Sequence, residues 1–326
     1  MEILAALLLS FIPAIFYVSI VYWLDRYEKE PKLLVGGVFV WGAVVAAGIA
    51  FIVNTVFGVG LLYMTASETT TEVVTSIVVA PLIEEGLKAM VVLLVFLLFR
   101  KEFDSVMDGI VYAATAALGF AASENALYLI DGFAEDGWSG LWVLFFLRVI
   151  FGAWNHAAFT AFTGIGLGLA RLSRSKMIQI GAPLAGFSLA MFAHFLHNTI
   201  ASLIKSFGGL IGLFFVDWFG WLFMGGLILW ALWHERSWIR DQLKEEVLTG
   251  LITQQQYQTA VSAWARAFKR LRALPEGRYG ETRRFFQLCT ELAYKKHQLA
   301  RLGEEGGDMA IIQSLREEIG RLAEKA

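Results

Sequence analysis

The sequence predicts an all-α fold, a polytopic bundle of about seven membrane spans followed by a C-terminal helical region on the cytoplasmic side. Three observations carry this. The residues AVILMFWYC make up 57% of the 326 positions and charged residues only 17%, whereas an ordinary soluble domain is about 25% charged. Apolar stretches of about 20 residues, the length that crosses a bilayer's hydrocarbon core, recur through the first 234 positions. Charge collects beyond them: residues 1–234 hold 11 Lys and Arg against 16 Asp and Glu, and residues 235–326 hold 16 against 13, a net −5 and +3 within the total of −2. Neither value marks a nucleic-acid binder. The single cysteine, Cys289, excludes an intrachain disulfide framework.

Seven stretches qualify as spans, at 3–24, 35–58, 73–99, 107–130, 141–170, 178–202 and 208–233, or six if one is re-entrant. The first follows Met1 and Glu2 with no basic segment before it and no small-residue cleavage site after it, so it reads as a retained span rather than a signal peptide. Basic residues accumulate on the cytoplasmic side of short loops. Arg26, Lys29 and Lys32 follow the first span, Arg100 and Lys101 the third, and Arg171, Arg174 and Lys176 the fifth, while the intervening loops carry only Lys205. The expectation is a multi-pass protein of the plasma membrane with its N-terminus outside and its C-terminus in the cytoplasm.

After Trp233 the composition changes, which sets a transmembrane catalytic domain at 1–234 and a soluble amphipathic tail at 235–326. In AWARAFKRLRAL, Trp264, Phe268 and Leu271 share a helical face with Arg266 and Lys269 outside it, and Pro275 and Gly277 stop the helix. A second helix repeats Phe285, Leu288, Leu292 and Leu299, and a third runs from Met309 to Leu322 after GEEGGD. The tail reads as a small helical bundle; lying on a membrane surface or docking a cytoplasmic partner are the alternatives.

Charges inside the spans carry the functional signal. Each costs about 2.5–3.5 kcal/mol at bilayer depth on insertion scales, so it needs a partner, a cavity or a metal. In PLIEEGLK, Glu84 and Lys88 stand four residues apart and can pair. Glu85 is turned about 100° away on the helix and is left seeking another cation. Glu124 and Asn125 sit mid-span in GFAASENALYLI, the next span brings Arg148, Asn155 and His156, and the sixth brings His194, His197 and Asn198. Taken singly, Glu84 and Lys88 could be a structural ion pair, Arg148 a carboxylate's partner or a substrate-positioning group, and His197 a packing contact. Glycines in GIGLG (164–168) and GGLIG (208–212) suit close helix packing.

Taken together, carboxylates and imidazoles on several spans suit zinc, which accepts oxygen and nitrogen ligands at about 2.0–2.2 Å and keeps an open position when catalytic. A further carboxylate can then take a proton from water while an Asn stabilises an oxyanion, a set able to hydrolyse a peptide bond in or near the membrane. Two other classes stay open at this point: an ion- or proton-coupled transporter using the same buried charges, and a catalytically silent scaffold. A transporter often shows repeated halves, and no internal repeat is visible here.

The combination DRYEKEP, EEGLK at 84–88, GFAASEN at 119–125, NHAAFT at 155–160 and HFLHN at 194–198 resembles the PrsW family of intramembrane metalloproteases, distantly similar to the CAAX prenyl endopeptidases. The resemblance covers most of residues 21–200 and implies a membrane protein or peptide substrate and one Zn2+. It places the active-site motifs at Glu84, Glu85 and Lys88, at Phe120 and Glu124, and at His156 and His194. It implies Glu124, His156 and His194 near the metal, Glu84 as water-activating base held ionised by Lys88, and Asn198 as oxyanion donor. Glu85 is a further or alternative ligand, and the competing permutation makes Glu85 the ligand and Glu124 the base. Where the CAAX enzymes carry FxxxH, this chain carries Glu124.

Overall fold

The computed structural model describes every residue except 26–28, 204–206, 305–306 and 325–326. Arg26, Tyr27 and Glu28 of DRYEKEP, Lys205 of the orientation argument and part of GEEGGD therefore lie outside the described residues. Every regular element among the described residues is helical. The chain divides into two compact units, one built on Met1–Leu24, Glu30–Arg171 and Ser175–Leu227, the other mainly on Ile228–Ala326.

The first unit opens with α1 (Glu2–Leu24). Helices α2 (Lys32–Val40) and α3 (Ala47–Thr65) are joined through a π-helical stretch, Trp41–Ala46, into one run of 34 residues. That run crosses a later helix closely: a Cβ on Gly42 would stand 2.0 Å from the Ala116 carbonyl oxygen, and only glycine permits the approach. Ser67 caps α4 (Glu68–Val74), which continues through a π-helical stretch, Thr75–Val79, into α5 (Ala80–Leu98). Pro81 sits in the first turn of α5 and has no N–H to return to the preceding turn. One carbonyl of that turn, on Ser76, instead accepts the Asn198 side-chain amide at 2.8 Å.

Helix α6 (Val106–Leu144) starts at a reciprocal cap, with the Ser105 hydroxyl on the Asp108 amide and the Asp108 carboxylate on the Ser105 amide. It is not one straight rod. Asp136 and Gly137 leave helical geometry, Gly137 at φ 63°, and a Cβ on Gly140 would meet the Gly132 carbonyl at 2.1 Å. The chain doubles back there, so Leu129, Leu141 and Val149 share one apolar cluster with Ala6 of α1. The returning segment ends in a π-helical stretch, Phe145–Phe151, breaks at residues 152–154, and resumes as α7 (Asn155–Arg171). Helix α8 (Lys176–Leu203) packs on α7 through glycine, since a Cβ on Gly186 would lie 2.3 Å from the Phe162 carbonyl.

Among the described residues, four runs are long and apolar enough to cross a membrane, Glu2–Leu24, Lys32–Thr65, Val106–Arg171 and Lys176–Leu203. The expected spans at 107–130 and 141–170 fall together in the third of these. Helix α5 carries Glu84, Glu85 and Lys88 in its first half, and α9 (Phe207–Leu248) carries Asp217.

In the second unit, the end of α9 supplies Ile239 and Leu243 to a core completed by α10 (Gln254–Ala260), α12 (Tyr279–Leu302) and α13 (Asp308–Ala323). Phe285, Leu288 and Leu292 of α12 are fully buried there, with Leu299 packed at the margin. Burial pushes the Cys289 thiol up to about 12. Helix α11 (Ala263–Arg272) gives no side chain to this core.

Candidate metal centre and active site

The first turns of α5 place three ionisable groups in the interior of the first unit. Lys88 is fully buried, and its Nζ donates to Glu85 Oε1 at 2.8 Å and to His156 Nδ1 at 3.1 Å. It lies 3.7 Å from Glu84 Oε2 and 4.1 Å from the centre of the Phe120 ring. Lys88 thus leans to Glu85 rather than to Glu84. Two donors on other helices explain why: Thr160 Oγ1 of α7 gives to Glu85 Oε2 at 2.7 Å, and His194 Nδ1 of α8 lies 3.0 Å from Glu85 Oε1, so both draw that carboxylate inward. Glu85 meets three donors and does not border the cavity described below.

Those contacts fix the rings. A carboxylate only accepts, so His194 Nδ1 carries the proton and Nε2 presents a lone pair. Nε2 lies 3.9 Å from Glu84 Oε2. Carboxylate-held imidazoles of this kind are the usual support for a metal-ligating histidine. An ammonium only donates, so His156 Nδ1 accepts from Lys88, and Nε2 donates to Glu124 Oε2 at 2.9 Å. Glu124 also takes Arg148 at 2.8 Å, and the Arg148 Nε donates to Asn125 Oδ1 at 3.0 Å. The guanidinium carbon lies over the Tyr128 ring, 3.6 Å from its centre, a cation–π contact that helps to hold it in place.

Glu84 is the exception. Its Oε2 is buried without a hydrogen-bond partner, a state that costs about 1–3 kcal/mol or more for a charged group. One ligating atom each of Glu84, His156 and His194 lie within 4.8 Å of one another. With Glu84, Glu85 and Glu124 all ionised against Lys88 and Arg148, the cluster would carry one negative charge more than positive. An unpartnered oxygen, two imidazoles and an excess of negative charge are what a divalent cation needs.

A cavity of about 920 Å³ runs beside this cluster, lined by Glu84, Glu124, His156, His194 and Asn198 among others. Asn198 spends one amide hydrogen on Ser76 and retains a second. The backbone break at residues 152–154 opens on the same cavity through Gly152 and Asn155, which is where irregular backbone at membrane depth is tolerated. The sequence reading left out a polar chain on the same wall: Trp221 Nε1 donates to Asn155 Oδ1 at 2.9 Å, Asn155 Nδ2 to Asp217 Oδ2 at 2.9 Å, and Asp217 Oδ1 lies 2.8 Å from His197 Nδ1. Its signal was present, since Asp217 is the sole charged residue in 208–233.

Residues 30–231 match the family model described as PrsW family intramembrane metalloprotease, which covers more than half of the chain. This chain belongs to the PrsW family. It is 30% identical over 202 residues to Protease PrsW of Geobacillus kaustophilus, covering 62% of this chain and 82% of that protein. With Protease PrsW of Oceanobacillus iheyensis it shares 31% over 199 residues, 60% and 82% of the two chains, and with that of Bacillus subtilis 32% over 168 residues, 50% and 68%. No solved structure matches it. PrsW membership makes the chain an integral membrane peptidase, so the transporter and scaffold readings fall away. The PrsW match stops before the tail, so α10 to α13 stand outside it.

Proposed function

We propose that the chain is an intramembrane metalloendopeptidase in which Glu84, His156 and His194 hold one zinc ion and Glu124 moves the protons of hydrolysis. The observation that carries this is the buried, unpartnered Glu84 Oε2 converging with the two imidazoles. This exchanges the roles that the resemblance gives to Glu84 and Glu124. Both His156 nitrogens are engaged, one by Lys88 and one by Glu124, so coordination through either replaces one of those hydrogen bonds. Zinc in such a site lowers the pKa of its water towards 7 and polarises a carbonyl.

The chain's own residues do the rest. Glu124, held by Arg148 at the cavity wall, accepts the proton released as water oxygen bonds to the scissile carbon, and returns it to the amine nitrogen as the C–N bond breaks. The free amide hydrogen of Asn198 meets the developing oxyanion. Glu85 and Lys88 touch no substrate and orient the His194 and His156 rings. The substrate is a membrane-embedded or membrane-proximal polypeptide segment that enters the cavity extended, because a helix keeps its peptide bonds covered.

The same reading assigns the catalytic domain to 1–234 and the amphipathic tail to 235–326. It also keeps seven crossings, with α5 and α9 added to the four long apolar runs and the run that doubles back at Gly137 crossing twice. The basic loops then set the N-terminus outside and the tail in the cytoplasm of a plasma-membrane protein. Cleavage of a membrane-anchored reporter in proteoliposomes tests the chemistry. Glu124→Gln is expected to slow cleavage by about 10²–10⁴-fold with bound zinc retained; loss of the zinc would return Glu124 to the ligand set.

A further inference from the structure

Helix α11 is amphipathic the wrong way round for a bundle. Arg266 is 2% exposed and donates from its guanidinium to Thr290 Oγ1 of α12 at 2.9 Å, and Ala273, one residue beyond the helix and on the same face, is also buried. Phe268 and Leu271 lie on the opposite side at 61% and 58% exposed, with Trp264 exposed at their head, and Leu274, just beyond the helix, is 52% exposed. No apolar side chain of α11 joins the hydrophobic core of its unit, which is formed by α9, α10, α12, α13 and their connections. The hydrogen bond to Thr290 holds the roll of the helix with the apolar stripe facing outward.

Charge decides what covers the stripe. Lys269, Arg270 and Arg272 fill the last turn of α11. Between positions 263 and 284 there are seven Lys and Arg against two Asp and Glu. A Phe, Leu and Trp stripe with basic residues at its flank fits the boundary between acyl chains and anionic headgroups. The tail is also joined by its own chain to a membrane-embedded unit, so a bilayer is always within reach.

We propose that α11 and Leu274 form an interfacial anchor that seats on the anionic phospholipid surface of the membrane in which the protein is embedded. Phe268, Leu271 and Leu274 enter the acyl boundary, and Arg270 and Arg272, at the two edges of the stripe, contact phosphates. The anchor lies outside the family match and does not depend on the protease reading.

The test uses the full chain in lipid nanodiscs. The native Cys289 is fully buried, so Phe268→Cys, and separately Leu271→Cys, provide single sites for an environment-sensitive fluorophore, with the exposed Gln313→Cys as control. In discs containing phosphatidylglycerol, labels at 268 and 271 are expected to shift to the blue and to be quenched by spin-labelled lipid, whereas the label at 313 stays aqueous. Each of the charge reversals Arg270→Glu and Arg272→Glu is expected to weaken this lipid-bound state about fivefold or more, and molar salt to weaken it further. Labels at 268 and 271 that stay aqueous and unquenched in anionic discs would overturn the proposal in favour of a protein partner. Equal quenching in purely zwitterionic discs would overturn the headgroup contact.

Discussion

Both units bury carboxylates, and they treat them differently. In the tail, Glu246 is 1% exposed, yet it receives Lys296 Nζ at 2.6 Å and Arg316 at 2.7 and 3.0 Å on its two oxygens. Lys296 gives its remaining hydrogens to Glu245 at 2.7 Å and the Gln242 carbonyl at 2.8 Å. Lys296 and Arg316 both meet acceptors on Glu246, which is how a buried ionic group becomes part of a scaffold. In the membrane unit, Glu85 is satisfied in the same manner, but Glu84 beside it is left with a buried, unpartnered oxygen facing two imidazoles. Complete pairing marks structure. A pairing deficit placed against metal-ligand chemistry marks function.

The comparison predicts opposite outcomes for two similar substitutions. Glu84→Gln is expected to cut peptidase activity by roughly 10³-fold or more while leaving the thermal midpoint of the metal-free protein unchanged or raised, because that carboxylate has no hydrogen bond to lose. Glu246→Gln should do the reverse. It is expected to destabilise the tail by about 3–5 kcal/mol, since Lys296 and Arg316 are left beside a neutral amide, with bound zinc per chain unaltered. Denaturant melts followed by metal analysis read both, and a large stability loss in Glu84→Gln would break the distinction.

Next in size, Asn198→Ala removes both the donor to the Ser76 carbonyl and the proposed oxyanion contact. The expected loss is about 10²–10³-fold in kcat with KM little changed; a change in KM alone would assign Asn198 to binding. The smallest effect is one of pH. Burial lowers the His297 imidazole to about 4 from its ordinary 6.5, and the ring stacks on Trp238 at 4.1 Å. Because the unfolded chain protonates first as pH falls, the stability this neutral ring supports is complete above about pH 6.5 and declines towards pH 4. Scanning fluorimetry at pH 7.5 and 5.0 should show a drop in midpoint that His297→Phe reduces.

Much of this was legible in the sequence because a bilayer punishes polarity. Glu84, Glu85, Lys88, Glu124, His156 and His194 stood out from apolar runs, and the structure gathers all six. Asp217 stood out equally by composition, and only its links to His197 and Asn155 show what it does. Other features are set by contacts between distant helices. The preference of Lys88 for Glu85 depends on Thr160 and His194, which lie 75 and 109 positions from that carboxylate. The backbone break at 152–154 falls in apolar residues that read as uninterrupted span. The alternation of apolar and basic residues in α11 is plain in the sequence, but which face it turns inward is decided by the Arg266–Thr290 bond to α12.

The central claim is that Glu84, not Glu124, completes the metal site with His156 and His194. X-ray absorption at the zinc edge on the purified, zinc-loaded chain tests it directly. The expected result is a shell of nitrogen and oxygen at about 2.0–2.2 Å with two imidazoles, kept in Glu124→Gln and lost, together with stoichiometric zinc, in Glu84→Gln. Zinc retained in Glu84→Gln and lost in Glu124→Gln would contradict it.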